Sequence, residues 1–407
     1  MNKIGILGGT FNPVHISHII LARTALNELS LDKILFMPSK NPPHKQNLAV
    51  ASNEDRLDML KLAIDGIPGF EISDFELRPE RTGFSYTYET LELLLRENDD
   101  TRYYFIIGGD SLQHFSTWYE PGRILERCAL VCTGRAGQDS IRTRKLISDL
   151  NNKYSRPGSK PEIYYINVPQ MDISSNMIRK YVSYDMSIDG LVSPQVSNYI
   201  SEHRLFRSAI YDQYLDDMEK KLSSHRYEHV KNVAKTAVRL ALIFGEDSDK
   251  AYTAGLLHDC AKYLDDEAML AAASQAGIEL DEIEKKAVPL VHAKVGAYFA
   301  RTRYGIEDTD ILNAILYHTT GRPGMSMLEK IIYIADYIEP GRKRMVNDDK
   351  GESLLNTARS IATYDLDEAL RFILKSTVDY LQTRTDYAIS DITKKTFEYY
   401  NGNGNFM

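Results

Sequence analysis

Cysteine is scarce: only Cys128, Cys132 and Cys260 occur, too few for a disulfide framework and suited to a reducing compartment. No apolar run approaches the roughly 20 residues that span a bilayer. The chain also enters a strand-like segment at once, where a signal peptide would show a longer apolar stretch. A cytoplasmic protein with no membrane partner is therefore expected. Surplus positive charge is missing too: the formal net charge is -8, which argues against a broad basic face and against nucleic acid as a ligand. Small anions held by a few local cations stay compatible with that balance. Cys128 and Cys132 flank the apolar Ala129 to Val131 and are read as core residues, although alone they would also suit a metal pair.

The 407 residues suggest two to three domains, and a 43% hydrophobic share can fill real cores. From residue 1 to about 205, short apolar strands alternate with amphipathic helices. Strands are expected at Lys3–Leu7, Lys33–Met37, Glu71–Phe75, Tyr103–Ile107, Ala129–Thr133 and Ile163–Asn167. Helices are expected near His18–Leu29, Glu54–Ile64, Thr87–Arg96 and Ile141–Asn152. The alternation predicts an α/β parallel sheet whose ligands bind at the carboxyl ends of the strands.

The informative motifs fall in those loops. After the first strand comes Gly8-Gly9-Thr10-Phe11-Asn12-Pro13-Val14-His15-Ile16-Ser17-His18. Glycines let a ligand approach the backbone, and the free N–H groups of the following helix favour an anion. His15 and His18, three residues apart, can face the same phosphate. After the second strand, the stiff turn Asn41-Pro42-Pro43-His44-Lys45 offers a cation. After the fourth, Gly108-Gly109-Asp110 offers close backbone approach and a carboxylate, followed by Phe115-Ser116-Thr117-Trp118-Tyr119 with the only tryptophan. Ile173-Ser174-Ser175-Asn176-Met177-Ile178-Arg179 reads as a helix start with two hydroxyl caps and an arginine one turn inside.

The glycine turn with its two histidines resembles the T/H-x-G-H signature of the nucleotidyltransferase superfamily, with Ser17 where glycine is usual. Together the motifs resemble the bacterial nicotinate-nucleotide adenylyltransferases over residues 1–205, a Rossmann-like domain. The resemblance implies that Gly8, Gly9, Thr10, His15, His18, Ser175 and Arg179 surround the ATP phosphates. It places Gly108 and Asp110 at the adenosine, and Lys45, Thr87, Trp118 and Tyr119 at nicotinate mononucleotide. Asn176 replaces the family's usual threonine. The chemistry asks mainly for positioning, because an acceptor phosphate with a second pKa of about 6 is already anionic and needs no general base. Mg²⁺ is expected to arrive with ATP, and no carboxylate cluster for a protein-held metal is evident in this half.

Arg204–Tyr214 holds no glycine or proline, so a fairly stiff join is expected. Beyond it, amphipathic helices are expected near Tyr211–Leu222, Tyr227–Phe244, Lys250–Tyr263, Val291–Tyr304, Asp308–His318, Met327–Ile338 and Leu366–Arg384. With no convincing strand, this predicts an all-α domain over 206–395 and a flexible tail over 396–407. His229, His258, Asp259, His292, His318 and Asp336 recur on these helices, a donor set that favours a first-row metal. Adjacent His258 and Asp259 cannot share a helical face, so they must sit at a fraying helix end to reach one centre.

Arg226-Tyr227-Glu228-His229, Leu257-His258-Asp259-Cys260-Ala261-Lys262, His318-Thr319-Thr320-Gly321-Arg322-Pro323 and Ala335-Asp336-Tyr337-Ile338-Glu339-Pro340 resemble the HD superfamily of metal-dependent phosphohydrolases. They resemble most its bacterial diadenosine tetraphosphate hydrolases. The resemblance implies a two-metal site of those six residues, with iron, manganese, cobalt or zinc, Asp259 as the bridging carboxylate and Lys262 and Arg322 on substrate phosphates. It also implies hydrolysis of diadenosine tetraphosphate to two ADP. Another nucleotide (a dNTP, a cyclic dinucleotide or a guanosine alarmone) and a nucleotide-sensing module remain as rivals for this half. For the first half, an aminoacyl-tRNA synthetase fragment is disfavoured, because a lysine-rich second signature and a basic face are missing. A homo-oligomer is compatible with all of this.

Overall fold

The structure, a computed structural model, describes residues 1–40, 50–80, 86–134, 138–156, 161–169, 171–342, 349–383 and 389–402. It divides into two compact units, Met1–Arg207 and Ser208–Met407.

The first unit is a six-stranded parallel sheet in the order β3-β2-β1-β4-β5-β6. Its strands are β1 (Asn2–Gly9), β2 (Lys33–Pro38), β3 (Phe70–Ile72), β4 (Thr101–Ile107), β5 (Ala129–Gly134) and β6 (Ile163–Asn167). Around it run α1 (Ile16–Glu28), α2 (Asn53–Ile64), α3 (Thr87–Glu97), α4 (Gly109–Gln113), α5 (Pro121–Arg127), α6 (Gln138–Tyr154), α7 (Ser175–Ser183) and α8 (Pro194–Glu202). Because successive strand residues point to opposite faces, the sheet feeds two cores. Ile34, Phe36, Ile106 and Val131 enter one, while Ile6, Phe105, Ile107 and Leu130 enter the other. Cys128 and Cys132 are buried, unpaired core residues, and burial pushes both thiols up to about 12.

One strand is shorter than expected. β3 stops at Ile72, and Phe75–Leu77 forms a 3-10 turn, since this strand pairs only with β2 and has no second neighbour to extend it.

The described part of the second unit is helical, made of α9 (Ala209–Lys221), α10 (Ser224–Phe244), α11 (Ser248–Leu257), α12 (Asp266–Gln275), α13 (Glu282–Lys286), α14 (His292–Arg303), α15 (Thr309–Leu316), α16 (Met327–Ile338), α17 (Asp349–Ile361), α18 (Leu366–Gln382) and α19 (Asp391–Asn401). Ser223, Asp247, Asp265, Asp281, Asp308, Ser326, Asp365 and Ser390 each cap a helix through a side-chain oxygen, satisfying N–H groups left free in the first turn. α10 packs on α11 and α16. Gly255 makes the first contact close: a Cβ there would lie 2.6 Å from Ala234 Cα.

The expected helix Lys250–Tyr263 ends at Leu257, and residues 258–263 form successive turns. The tail expected from residue 396 is corrected as well. α19 continues to Asn401, with Thr396 fully buried and the Tyr400 hydroxyl accepting from the Met325 N–H at 2.8 Å.

Candidate functional sites

In the sheet order, β1 lies between β2 and β4, so the chain departs from the ends of β1 and β4 on opposite sides and leaves a crevice there. A cavity of about 1210 Å³ fills it. Gly8, Gly9, Thr10, His15, His18, Thr87, Gly108, Trp118, Tyr119, Ser175 and Arg179 all line this cavity, so residues up to 171 positions apart in sequence converge on one place. Lys45 lies outside the described residues, as does the side chain of Asp110, whose backbone belongs to α4.

His18 is held as a donor. The backbone N–H of His15 donates to His18 Nδ1 at 3.2 Å, which leaves the His18 proton on Nε2, directed away from its own helix start. The two rings lie 3.7 Å apart, and the Phe11 ring meets His18 edge-on at 5.0 Å. Burial pushes His15 down to about 4, so it is neutral near pH 7, and its buried Nδ1 finds no hydrogen-bond partner.

α7 closes the crevice from the far end of the unit. Ser174 caps it, accepting from the Met177 N–H at 3.2 Å. Ser175 is not a second cap: its hydroxyl donates to the Pro13 carbonyl at 2.8 Å and ties α7 to the glycine loop. Arg179 Nη1 donates to the Asn12 carbonyl at 2.7 Å, and its Nη2 donates to Asn176 Oδ1 at 3.2 Å. Trp118 both packs against Phe105 and Phe115 and faces the cavity, while the Tyr119 ring meets that of Tyr86 at a tilt, 4.8 Å between centroids.

In the second unit the six expected ligands also meet. His229 Nε2 lies 3.0 Å from Asp336 Oδ1, and His258 Nε2 lies 3.9 Å from the same oxygen. Asp259 reaches the other pair: its Oδ1 lies 3.1 Å from His292 Nε2 and 3.6 Å from His318 Nε2. Asp259 Oδ2 stands 3.7 Å from His258 Nε2, which places this carboxylate between the two groups. The break after Leu257 makes this reach feasible, because it frees His258 and Asp259 from helical spacing.

The tautomers are fixed from behind. Nδ1 of His258 and of His318 each lies 2.7 Å from a backbone carbonyl, of Gly255 and Ile315, and His292 Nδ1 faces that of Pro289. The carbonyls behind His258 and His318 call for the proton on Nδ1 and turn those Nε2 lone pairs toward the carboxylates. His229 differs, its Nδ1 facing the buried carboxylate of Glu339 at 3.1 Å. Burial pushes His258 down to about 3, so it is neutral, yet its buried Nε2 has no hydrogen-bond partner. A buried lone pair beside two carboxylates is a polar atom lacking a cation, and the donor set fits a first-row metal. Two overlapping groups, His229-His258-Asp336 and His258-Asp259-His318, each bring their ligand atoms within 4.8 Å of one another.

Burial by itself would raise Asp259, but His258 and the other imidazoles hold it well below the usual carboxylate range. For His229 burial opposes protonation, and Asp336 and Glu339 outweigh it, raising the ring to about 9.

Three cations rim this pocket. Arg226 Nη1 sits 2.7 Å from Asp259 Oδ2, Arg342 Nη1 3.4 Å from Asp336 Oδ1, and Lys262 Nζ 3.0 Å from His292 Nδ1. Arg322 departs from expectation. Its fork is taken by buried Glu329, at 2.7 Å from Nε and 3.1 Å from Nη2, so it is neutralised and braces the start of α16. Arg226, Glu339 and Arg342 were not assigned roles from the sequence. The first two stand three residues from His229 and Asp336, a spacing that does place neighbours on one side of a helix.

The comparisons agree with this division. Residues 6–181 match the cytidylyltransferase-like family and residues 226–341 match the HD domain. Over 206 residues, 51% of this chain, it is 39% identical to the whole of a protein from Lachnoclostridium phytofermentans named probable nicotinate-nucleotide adenylyltransferase. The chain belongs to the nicotinate-nucleotide adenylyltransferase family. Its pairing of domains is also met elsewhere: a Mycoplasma genitalium protein named probable nicotinate-nucleotide adenylyltransferase/Ap4A hydrolase is 29% identical over 84% of this chain and 89% of its own length. A crystal structure of a predicted HD superfamily hydrolase involved in NAD metabolism from Clostridium acetobutylicum is 40% identical and covers 47% of this chain and 96% of its own, with a TM-score of 0.43. This chain thus joins an α/β nucleotidyltransferase unit to a helical HD unit. No described helix is long and apolar enough to cross a membrane.

Proposed function

We propose that the chain carries two enzymes. The first unit transfers AMP from ATP to nicotinate mononucleotide, giving the deamido dinucleotide and pyrophosphate. An oxygen of the acceptor phosphate attacks the α-phosphorus of ATP, a new P–O bond forms, and the bond to the β-phosphate breaks with pyrophosphate leaving. The observation that carries this reading is the neutral His15–His18 pair at the start of α1, with Arg179 and Ser175 fastened to the same loop. His18 Nε2–H and the N–H groups of α1 are donors aimed at the crevice, where charge builds on the α-phosphate and the leaving group. Mg²⁺ accompanies ATP. Thr87, Trp118 and Tyr119 receive the pyridine ring, and Gly108 lies beside the adenosine. The test is kcat/KM for nicotinate mononucleotide against its amide, with Mg²⁺ and ATP. A large preference for the acid is expected, since a site built for a polar group rejects an analogue that leaves its groups unpaired. Equal values would overturn the acceptor reading.

The second unit hydrolyses diadenosine tetraphosphate to two ADP. What carries the hydrolase reading is the convergence of four Nε2 atoms on Asp259 and Asp336, with the opposite ring nitrogens held from behind. His229, His258 and Asp336 would hold one ion and His292 and His318 a second, with Asp259 between them. Bound ions of this class supply Lewis acidity toward phosphate oxygens and acidify water for in-line attack. The chain's own part is to present the lone pairs and to bring Lys262 and Arg226 to the phosphates once the carboxylates have other partners. Product identification in ¹⁸O water tests it: two ADP support symmetric cleavage, ATP plus AMP contradict it, and turnover of other nucleotides alone would move the substrate.

A further inference from the structure

Arg56 is the largest of the fully buried side chains, 1% exposed, and it is a cation. It stands in the first turn of α2, behind the wall of the nucleotide crevice. Its Nη1 donates to the carbonyls of Thr10 at 2.8 Å and Ser39 at 2.9 Å, and its Nη2 donates to Asn53 Oδ1 at 2.5 Å. Nε is buried with no partner. All three acceptors are neutral, and among the described residues no carboxylate pairs with this guanidinium. Burial alone pushes it below the usual arginine range.

Taking an unpaired charge out of water is costly, and an apolar side chain of similar size would remove that cost. Two features of its surroundings account for the charge. Thr10 and Ser39 both line the crevice, and they continue β1 and β2 just beyond the sheet, where the Ser39 N–H donates to the Gly9 carbonyl at 2.9 Å. Arg56 therefore fastens two loop ends in one place and turns their carbonyl oxygens back into the protein. Left free, those oxygens could face the phosphates and repel them. A charge this deep is also poorly screened, so its field extends into the crevice with little loss.

We infer that Arg56 is a positioning residue of adenylyl transfer: it shapes the phosphate loop through Thr10 and Ser39 and supplies a fixed positive charge from behind the wall. This rests on reading the crevice as the ATP site. The two roles separate chemically. Lysine keeps the charge but loses the planar fork that grips two carbonyls, while methionine loses both.

The test uses the full chain as wild type, Arg56→Lys and Arg56→Met. It measures kcat and KM for ATP with nicotinate mononucleotide, and the rise in thermal midpoint caused by inorganic triphosphate, followed by Trp118 fluorescence. Arg56→Met is expected to lose at least 100-fold in kcat/KM and most of the triphosphate-induced rise. Arg56→Lys is expected to keep at least half of that rise while kcat falls at least tenfold. A purely structural residue would lower the unliganded midpoint but leave the triphosphate-induced rise intact. A folded Arg56→Met chain within threefold of wild type in kcat/KM, with an undiminished rise, would overturn the inference. Should Arg56→Met not fold, an Arg56→Lys chain with wild-type kcat would overturn it. If the wild type itself makes no dinucleotide from ATP and nicotinate mononucleotide, the reading of the crevice fails instead.

Discussion

On the proposed reading, the crevice at the ends of β1 and β4 meets phosphate with donors that the chain supplies itself, whereas the pocket among α10, α11, α14 and α16 presents lone pairs and carboxylates that first call for a cation. In the first, His18 is held with its proton on Nε2, facing outward. In the second, carbonyls behind His258 and His318 hold the proton on Nδ1, so the same atom, Nε2, faces inward as an acceptor. One residue type thus serves opposite purposes, and what decides is the partner of the other ring nitrogen. A backbone N–H behind the ring makes a donor toward phosphate, and a backbone carbonyl makes a metal ligand.

Metal removal should break this comparison most sharply. After dialysis against a chelator and return of Mg²⁺ alone, adenylyl transfer should recover, because there the ion comes with ATP. Hydrolysis should stay depressed by about 10³-fold or more, since losing several kcal/mol of Lewis-acid stabilisation is a loss of that order and imidazole prefers first-row metals to Mg²⁺. Hydrolysis fully restored by Mg²⁺ would erase the distinction. Next in size, His18→Ala should cost transfer about 2.7 to 4 kcal/mol, the usual loss for a preorganised donor to developing charge. Activity above a tenth of wild type would show that Nε2 of His18 is not that donor.

Glu339→Gln sharpens the comparison within the metal pocket. His229 alone among the four proposed ligand histidines is backed by a side-chain carboxylate. A partner of this kind is worth about 10- to 100-fold in metal affinity, so metal competition titrations should show weakening of that order at one of the two ions. Equal weakening of both ions, or none, would count against an unequal pair.

A further test is a pH response of the first unit. His15 sits at about 4 in the fold against 6.5 in the open chain, so the unfolded state binds more protons between those values. Stability should be fully present above pH 6.5 and decline toward pH 4, by about 3 kcal/mol at most. The only tryptophan, Trp118, lies in this unit, so its fluorescence follows the first unit selectively. His15→Asn should flatten the decline, and an unchanged slope would contradict the assignment.

Much of the fold and of the site placement was readable because the informative residues sit beside a signal written locally. Gly8 to His18 directly follow an apolar strand, and Ser or Asp caps announce most helices of the second unit. His258 and Asp259 were readable for a subtler reason, since two adjacent ligands require the helix to stop, and it does stop at Leu257. What escaped depends on partners distant in sequence. Arg56 looks like an ordinary helical cation until the fold brings Thr10 and Ser39 over it. Arg322 looks free until Glu329 proves to be buried against it. Ser175 looks like a cap until Pro13 arrives from the other end of the unit. The 266–275 helix was missed because its polar and alanine-rich stretch carries little apolar periodicity, although Asp265 caps it.

The central claim is that one chain holds two separate chemistries. It is tested most directly by assaying wild type, His18→Ala and Asp259→Ala full-length chains side by side, for dinucleotide formation from ATP and nicotinate mononucleotide and for ADP release from diadenosine tetraphosphate. The account predicts a full crossover: His18→Ala loses only the first activity and Asp259→Ala only the second. Loss of both activities in either folded variant, or ADP release unaffected by Asp259→Ala, would contradict it.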